Sequence, residues 1–198
     1  MQDVFVRGKG KIRFSQNDFI AKGGEGEVYG QGNTVYKIYL DPSRMIPEAK
    51  IRELQEIKHP DILKPKDIIL DKKNNPIGFT MDWVQDSLPM CKLFTNSFRK
   101  KNNVEPGTIN DLVDVIRSMI YEVHASNCLI VDGNEFNYLV NKTFTNPYFI
   151  DVDSYQTPNF PATAIMPSIQ DHHTYPFSEL SDWYSFAVIA CQLFIGIH

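Results

Sequence analysis

The stretch HASNCLIVDGNEFNYLVNKTFTNPYFIDVD, His124 to Asp153, decides how the chain is read. An apolar run, Cys128-Leu129-Ile130-Val131, ends on Asp132. Asn137 follows after a short polar link and opens a second apolar run, Tyr138-Leu139-Val140. A segment rich in Asn, Thr and Pro, Asn141 to Pro147, leads to Tyr148-Phe149-Ile150, which ends on Asp151, with Asp153 beyond it. The pattern predicts two short strands joined by a turn. Each carboxylate stands where an apolar segment stops, so the backbone is anchored and the side chain is free. Two carboxylates and an amide are oxygen donors of the kind Mg²⁺ prefers beside phosphate oxygens.

Upstream, FIAKGGEGEVYGQGNTVYKIYL spans Phe19 to Leu40. Gly23, Gly24 and Gly26 lie between the apolar flanks Phe19-Ile20 and Val28-Tyr29. Glycines let a backbone approach phosphates closely and offer its N–H groups. Gly30-Gln31-Gly32-Asn33 reads as a hairpin turn and Thr34 to Leu40 as the next strand, with Lys37 on one face. Pro47 to Lys58 carries Ile51, Leu54 and Ile57 near helical spacing and ends at His59-Pro60. Ile68 to Leu70 and Ile77 to Val84 read as a hairpin around Asp71 to Pro76. Residues 85–108 read as a polar, basic connection, and Asn110 or Asp111 as the cap of a helix carrying Leu112, Val115, Ile116, Met119, Ile120 and Val123. His124 falls at its end, where a structural role is expected.

The 198 residues suffice for one or two small domains, and 42% hydrophobic content suffices for a core. A net charge of −4 gives no electrostatic reason to expect nucleic-acid binding. Cys91, Cys128 and Cys191 form no C-x-x-C pair, so neither a disulfide framework nor a thiolate zinc site is indicated. With no signal-peptide pattern and no apolar stretch long enough for a bilayer, the expectation is a cytoplasmic protein without a membrane partner.

In unbroken order from residue 19 to residue 198, these pieces resemble the protein kinase superfamily. Asp132 and Asn137 match the D-x-x-x-x-N of its catalytic loop, and Asp151 matches the Asp of its D-F-G motif. Ala21-Lys22-Gly23-Gly24-Glu25-Gly26-Glu27-Val28 matches its glycine loop with alanine at the first glycine. Val35-Tyr36-Lys37-Ile38 resembles V-A-I-K, Thr80-Met81-Asp82-Trp83-Val84 the hinge, and Ser181-Asp182-Trp183-Tyr184-Ser185 the start of the F-helix. The wording looks closest to divergent serine/threonine kinase-like proteins of bacteria and their phages.

The resemblance implies an α+β, two-lobe fold. Residues 1–18 would be an N-terminal extension. Residues 19–84 would form an N-lobe of antiparallel sheet plus C-helix, and residues 85–198 a partial, mainly helical C-lobe. The chain ends at Ile195-Gly196-Ile197-His198, where that F-helix would finish, and so reads as a fragment or a minimal form. The implied activity is transfer of phosphate from ATP, with Mg²⁺, to Ser/Thr hydroxyls of a protein substrate. Lys37 would bind the α and β phosphates; Ala21, Gly23, Gly24, Gly26 and Val28 would cover the nucleotide. Met81 would be the gatekeeper, and Asp82 and Val84 would offer backbone groups to adenine. Asp132 would orient and deprotonate the acceptor, and Asn137 and Asp151 would hold Mg²⁺, with Asp153 an added carboxylate beside it. In its F-helix, Asp182 would hold the catalytic-loop backbone.

Several positions depart from the family. Lys50 stands at the usual place of the C-helix glutamate, so Glu53, or Glu48 in a shifted register, would pair with Lys37. Ile130-Val131 replaces His-Arg, Asn134 replaces a lysine, Val152-Asp153 replaces Phe-Gly, and no A-P-E is present. A pseudokinase, a nucleotide-binding or scaffold module without transfer, is the alternative. A metal-dependent phosphoesterase built on Asp151, Asp153, His172 and His173 is a third reading.

Overall fold

The computed structural model describes residues 2–173 and 176–196. Ile197 and His198, part of the expected helix end, lie outside them. The chain is mixed α and β and divides into two units, Met1–Arg52 with Lys64–Gln85, and Glu53–Leu63 with Asp86–His198.

The first unit is one antiparallel sheet of seven strands. These are β1 (Gln2–Val6), β2 (Gly10–Phe14), β3 (Phe19–Lys22), β4 (Gly26–Gln31), β5 (Thr34–Tyr39), β6 (Ile68–Leu70) and β7 (Pro76–Asp82). Their order is β2-β1-β6-β7-β5-β4-β3. β5 is rich in β-branched and aromatic residues, and Val35 through Tyr39 are all buried, as a strand covered on both faces requires. On one face Tyr36 and Ile38 pack with Val4, Val6, Phe14, Ile69 and Ile77. On the other, Tyr39 and Phe79 pack with Ile51 of helix α1 (Glu48–Leu54) and Ile68. The sheet curls so that β2, at one edge, meets β4 near the other: Phe14 stacks on Tyr29 with centroids 4.6 Å apart.

The described part of the expected extension, residues 2–18, is therefore built into the sheet. Val4 and Phe14 are among the most buried side chains of the sheet. The alternation in QDVFV and GKIRF carries two strands, β1 pairing in register with both β2 and β6. The expected hairpin turn is also shorter than the glycine pattern implied, because Gln31 pairs with Thr34 and leaves Gly32-Asn33 as the two-residue loop.

The second unit holds a three-stranded sheet, β8 (Ser87–Pro89), β9 (Tyr138–Asn141) and β10 (Pro147–Phe149), in the order β10-β9-β8. Its helices are α2 (Asn96–Lys101), α3 (Pro106–Ala125) and α4 (Glu179–Ile195). The segment Asp61–Leu63 runs along the free side of β10, with Phe149 donating to the Asp61 carbonyl and Leu63 donating to the Phe149 carbonyl. β9 and β10 are the two strands expected from the apolar runs. Residues 85–108 are not a solvated connection: Met90, Leu93 and Phe94 are fully buried. α3 begins at Pro106 rather than at Asn110 or Asp111, with proline at the first helical turn where its missing N–H costs nothing.

Candidate functional site

Three of the residues singled out in the first unit, Ala21, Val28 and Lys37, fall into one cross-strand row with Phe79. Ala21 stands opposite Val28, Val28 opposite Lys37, and Lys37 opposite Phe79. Directly opposed residues in antiparallel strands point to the same face, so the four share one. Met81, two residues beyond Phe79 and opposite Val35, lies on that face as well. The Lys37 side chain is only 10% exposed, with Nζ 4.0 Å from Glu25 Oε2 and 5.5 Å and 5.8 Å from the ring centroids of Tyr39 and Phe79. A buried ammonium is tolerated only where anions or π-faces offset its lost hydration.

Between β3 and β4 the turn closes through the Gly23 N–H on the Gly26 carbonyl at 2.9 Å. The three glycines there differ in kind. A Cβ on Gly26 would lie 2.6 Å from the Ile38 carbonyl oxygen, so packing demands glycine. Added to Gly23 or Gly24, it would meet nothing within 4 Å, and neither has a positive φ. Their bareness exposes backbone at the loop tip, open to an approaching group. Asp82 is exposed and paired with Lys66 at 2.6 Å, while Trp83 packs over Gly30. Val84 follows, half-buried.

In the second unit the organising contact comes from α4. Asp182, 1% exposed, accepts from the Ile130 N–H at 2.8 Å through Oδ2 and from the Val131 N–H at 2.7 Å through Oδ1. His124 Nε2 donates to the same Oδ2 at 2.8 Å, while its Nδ1 lies 3.6 Å from Glu179 Oε2. Sequence reasoning had assigned Asp182 this hold only by resemblance; the geometry now shows it. Val131 sits at φ +61°, a left-handed conformation that a β-branched residue adopts only under constraint. The clasp supplies that constraint and turns the chain at Asp132.

Asp132 is itself well held. Its Oδ2 accepts from Asn134 Nδ2 at 3.0 Å and its Oδ1 from the Met166 N–H at 2.8 Å. Asn137 Nδ2 donates to the Asp132 carbonyl at 2.8 Å. That donation fixes the amide's orientation through Nδ2, and Oδ1 is its acceptor end. The β9–β10 register continues one step, with Ile150 N–H on the Asn137 carbonyl at 3.0 Å. Asp151, the residue after Ile150, therefore lies at the same end of the hairpin as Asn137. Asp151 also takes a left-handed conformation, φ +58°, and its carbonyl accepts from the Ser154 N–H and hydroxyl. Asp153 is buried at 4% exposure. Tyr138 and Tyr155 are buried, and burial pushes both phenols well above their ordinary range, helped next by the Asp182 carboxylate at Tyr138 and by Tyr138 itself at Tyr155.

Glu53 accepts from Asn159 at both oxygens, from the backbone at 3.2 Å and from Nδ2 at 2.7 Å. Glu48 is held bidentately by Arg7 at 2.8 Å and 2.9 Å, and Lys50 is buried. Among the described residues no group of three or more His, Cys, Asp or Glu could hold a metal ion. Asp151, Asp153, His172 and His173 form no such group, and the Asp171 carboxylate simply accepts from the His173 N–H. Sequence reasoning missed Met166 and Asn159, whose contacts depend on the path of a proline-rich segment without periodicity. No described helix is long and apolar enough to cross a membrane. No protein-family model matches the chain, and no curated protein matches it.

Proposed function

We propose that the chain is an ATP- and Mg²⁺-dependent phosphotransferase of protein kinase type, acting on Ser/Thr hydroxyls of a protein. The observation that carries this reading is the Asp182 clasp on the Ile130 and Val131 N–H groups, immediately before Asp132. It is the contact the family resemblance calls for, made by residues more than fifty positions apart in the chain. Supporting it, Asn137 is tied to the Asp132 carbonyl and shares a hairpin end with Asp151.

The donor set suits the metal. Asn137 Oδ1 and the Asp151 carboxylate are hard oxygen ligands, and Mg²⁺ combines one or two protein ligands with phosphate oxygens. The ion supplies charge neutralisation on the phosphates when bound. Lys37 adds positive charge toward the α and β phosphates, and the bare backbone at Gly24 offers its N–H group to them, that of Gly23 being engaged within the turn. Asp132 aligns the acceptor hydroxyl. As the acceptor oxygen bonds to the γ-phosphorus and the β–γ bridge breaks, the hydroxyl proton passes to the Asp132 carboxylate.

One observation favours a second reading, a nucleotide-binding module without transfer: both Asp132 carboxylate oxygens already accept bonds from the chain itself. Transfer of labelled γ-phosphate to protein and peptide acceptors separates the two. Asp132→Asn should lower transfer about 10²–10⁴-fold, the weight of a general base. Equal incorporation by both proteins ends the catalytic reading, and a nucleotide-induced rise in Tm without transfer selects the second.

A further inference from the structure

Glu25 stands at the tip of the turn between β3 and β4, flanked by Gly24 and Gly26. Its carbonyl accepts from the Leu40 N–H at 2.9 Å, which ties the tip to the end of β5. Its carboxylate is shared by two cations. Oε2 lies 4.0 Å from Lys37 Nζ, and Oε1 lies 3.5 Å from Arg44 Nη2. Arg44 belongs to a single helical turn, Pro42–Arg44, that directly follows β5. That turn is stiff. Proline fixes its first φ, Asp41 accepts from the Ser43 N–H and hydroxyl, and the Arg44 N–H closes on the Asp41 carbonyl at 3.0 Å. The backbone of Arg44 is therefore placed by its own turn and not by Glu25.

We propose that Arg44 is a second phosphate-binding cation beside Lys37, and that Glu25 is an internal anion standing where a nucleotide's phosphate goes. This rests on the reading of Lys37 as the group that meets the nucleotide phosphates. Two cations that converge on the two oxygens of one carboxylate mark out a place for an oxyanion. A polyphosphate brings more oxygens and more negative charge than a carboxylate, and the Gly24 N–H lies in the same turn. Glu25 and a phosphate cannot both lie between Lys37 and Arg44, because like charges at that range repel. The Glu25 side chain is 54% exposed, so it swings into water at little cost, whereas the Lys37 side chain is buried and stays. Phosphate entry thus exchanges an internal ion pair for an external one, and Arg44 gains the ligand that Glu25 gives up.

The test is calorimetric titration of the full chain with ATP, with adenosine and with inorganic tripolyphosphate, at physiological salt. Both side chains are exposed, so substituting them leaves the core intact. Arg44→Gln should weaken ATP and tripolyphosphate about fivefold, the weight of a strong exposed ion pair, and leave adenosine unchanged. Glu25→Gln should tighten both polyphosphates about two- to fivefold and leave adenosine unchanged. Arg13→Gln removes the same charge beside Gln31, at the other end of β4. That is about 17 Å from the glycine turn, beyond the screening length of about 8 Å, so it should alter none of the three. Unchanged polyphosphate affinity in either Arg44→Gln or Glu25→Gln overturns the proposal, as does an equal loss in Arg13→Gln. Weaker polyphosphate binding in Glu25→Gln also overturns it, since the carboxylate then positions Lys37. An equal loss for adenosine marks a structural effect and overturns it too, as does failure of the unsubstituted chain to bind either polyphosphate. Tripolyphosphate binding with the expected responses but no ATP binding keeps the anion site and removes the nucleotide reading. ATP binding with those responses but no transfer of labelled phosphate keeps the site and removes only the phosphotransferase.

Discussion

In the first unit, Lys37 reaches its position through consecutive ladder bonds, with Val28 on one side and Phe79 on the other. In the second, Asp132 reaches its position because a carboxylate on α4 seizes the two N–H groups before it. The first arrangement is periodic and local, and a side chain's face follows from counting residues. The second is aperiodic, strained at Val131, and decided by a residue far along the chain. Two ways of placing a charged group thus differ in where their stability resides: in many shared backbone bonds, or in a single buried acceptor.

The sharpest way to break this contrast is to remove the acceptor. Asp182→Ala leaves two buried N–H groups unsatisfied, and at about 1–3 kcal/mol for each the loss should reach about 3 kcal/mol or more, read as a fall in the denaturation midpoint. An effect below about 1 kcal/mol would show that water or a shifted backbone replaces the clasp.

The ladder can be probed at two neighbouring glycines. Gly26→Ala drives a methyl group against the Ile38 carbonyl and should cost about 1–3 kcal/mol. Gly24→Ala meets open space and should change stability by about 0.5 kcal/mol or less; on the proposed phosphotransferase reading it should also weaken nucleotide binding in a titration. Equal stability losses at the two positions would refute the distinction drawn between them.

The smallest expected effect concerns pH. Burial, then the bond to Glu27, raises the Tyr29 phenol from 10.0 to about 12. A group whose pKa is raised on folding contributes stability that is complete below its unfolded value. That contribution shrinks as pH climbs from about 10 to about 12, because the unfolded chain ionises first. Tyr29→Phe should flatten this alkaline limb, as followed by denaturation at stepped pH. The buried phenols of Tyr138 and Tyr155 hold their protons in the same sense, so their share of the tyrosinate absorbance should appear only with unfolding, and Tyr138→Phe should remove part of that step.

The same contrast explains what could be read from residues alone. β5, α1 and the β9–β10 pair announce themselves through apolar runs bounded by Gly, Pro and Asn, and Lys37's face follows from alternation. The strands β1 and β2 were missed although GKIRF alternates, because each is only five residues long and Gly8 and Gly10 at their junction read as loop. Met90 to Phe94 escaped because a short helical turn has no period to detect. The left-handed turns at Val131 and Asp151 carry no glycine, so their composition gives no signal of their geometry. Resemblance supplied the assignment of Asp182 to the loop before Asp132, and no pattern in the chain revealed the closing contact of Met166.

The clasp also sets a schedule. Ile130 and Val131 leave the ribosome some fifty residues ahead of the carboxylate that will hold them. At a synthesis rate of about 5–20 residues per second, their amides wait on the order of several seconds with only solvent as partner. During that interval Val131 has no reason to remain in its disfavoured backbone basin. Helix α4, made later, therefore finishes the turn that the earlier sequence only prepares.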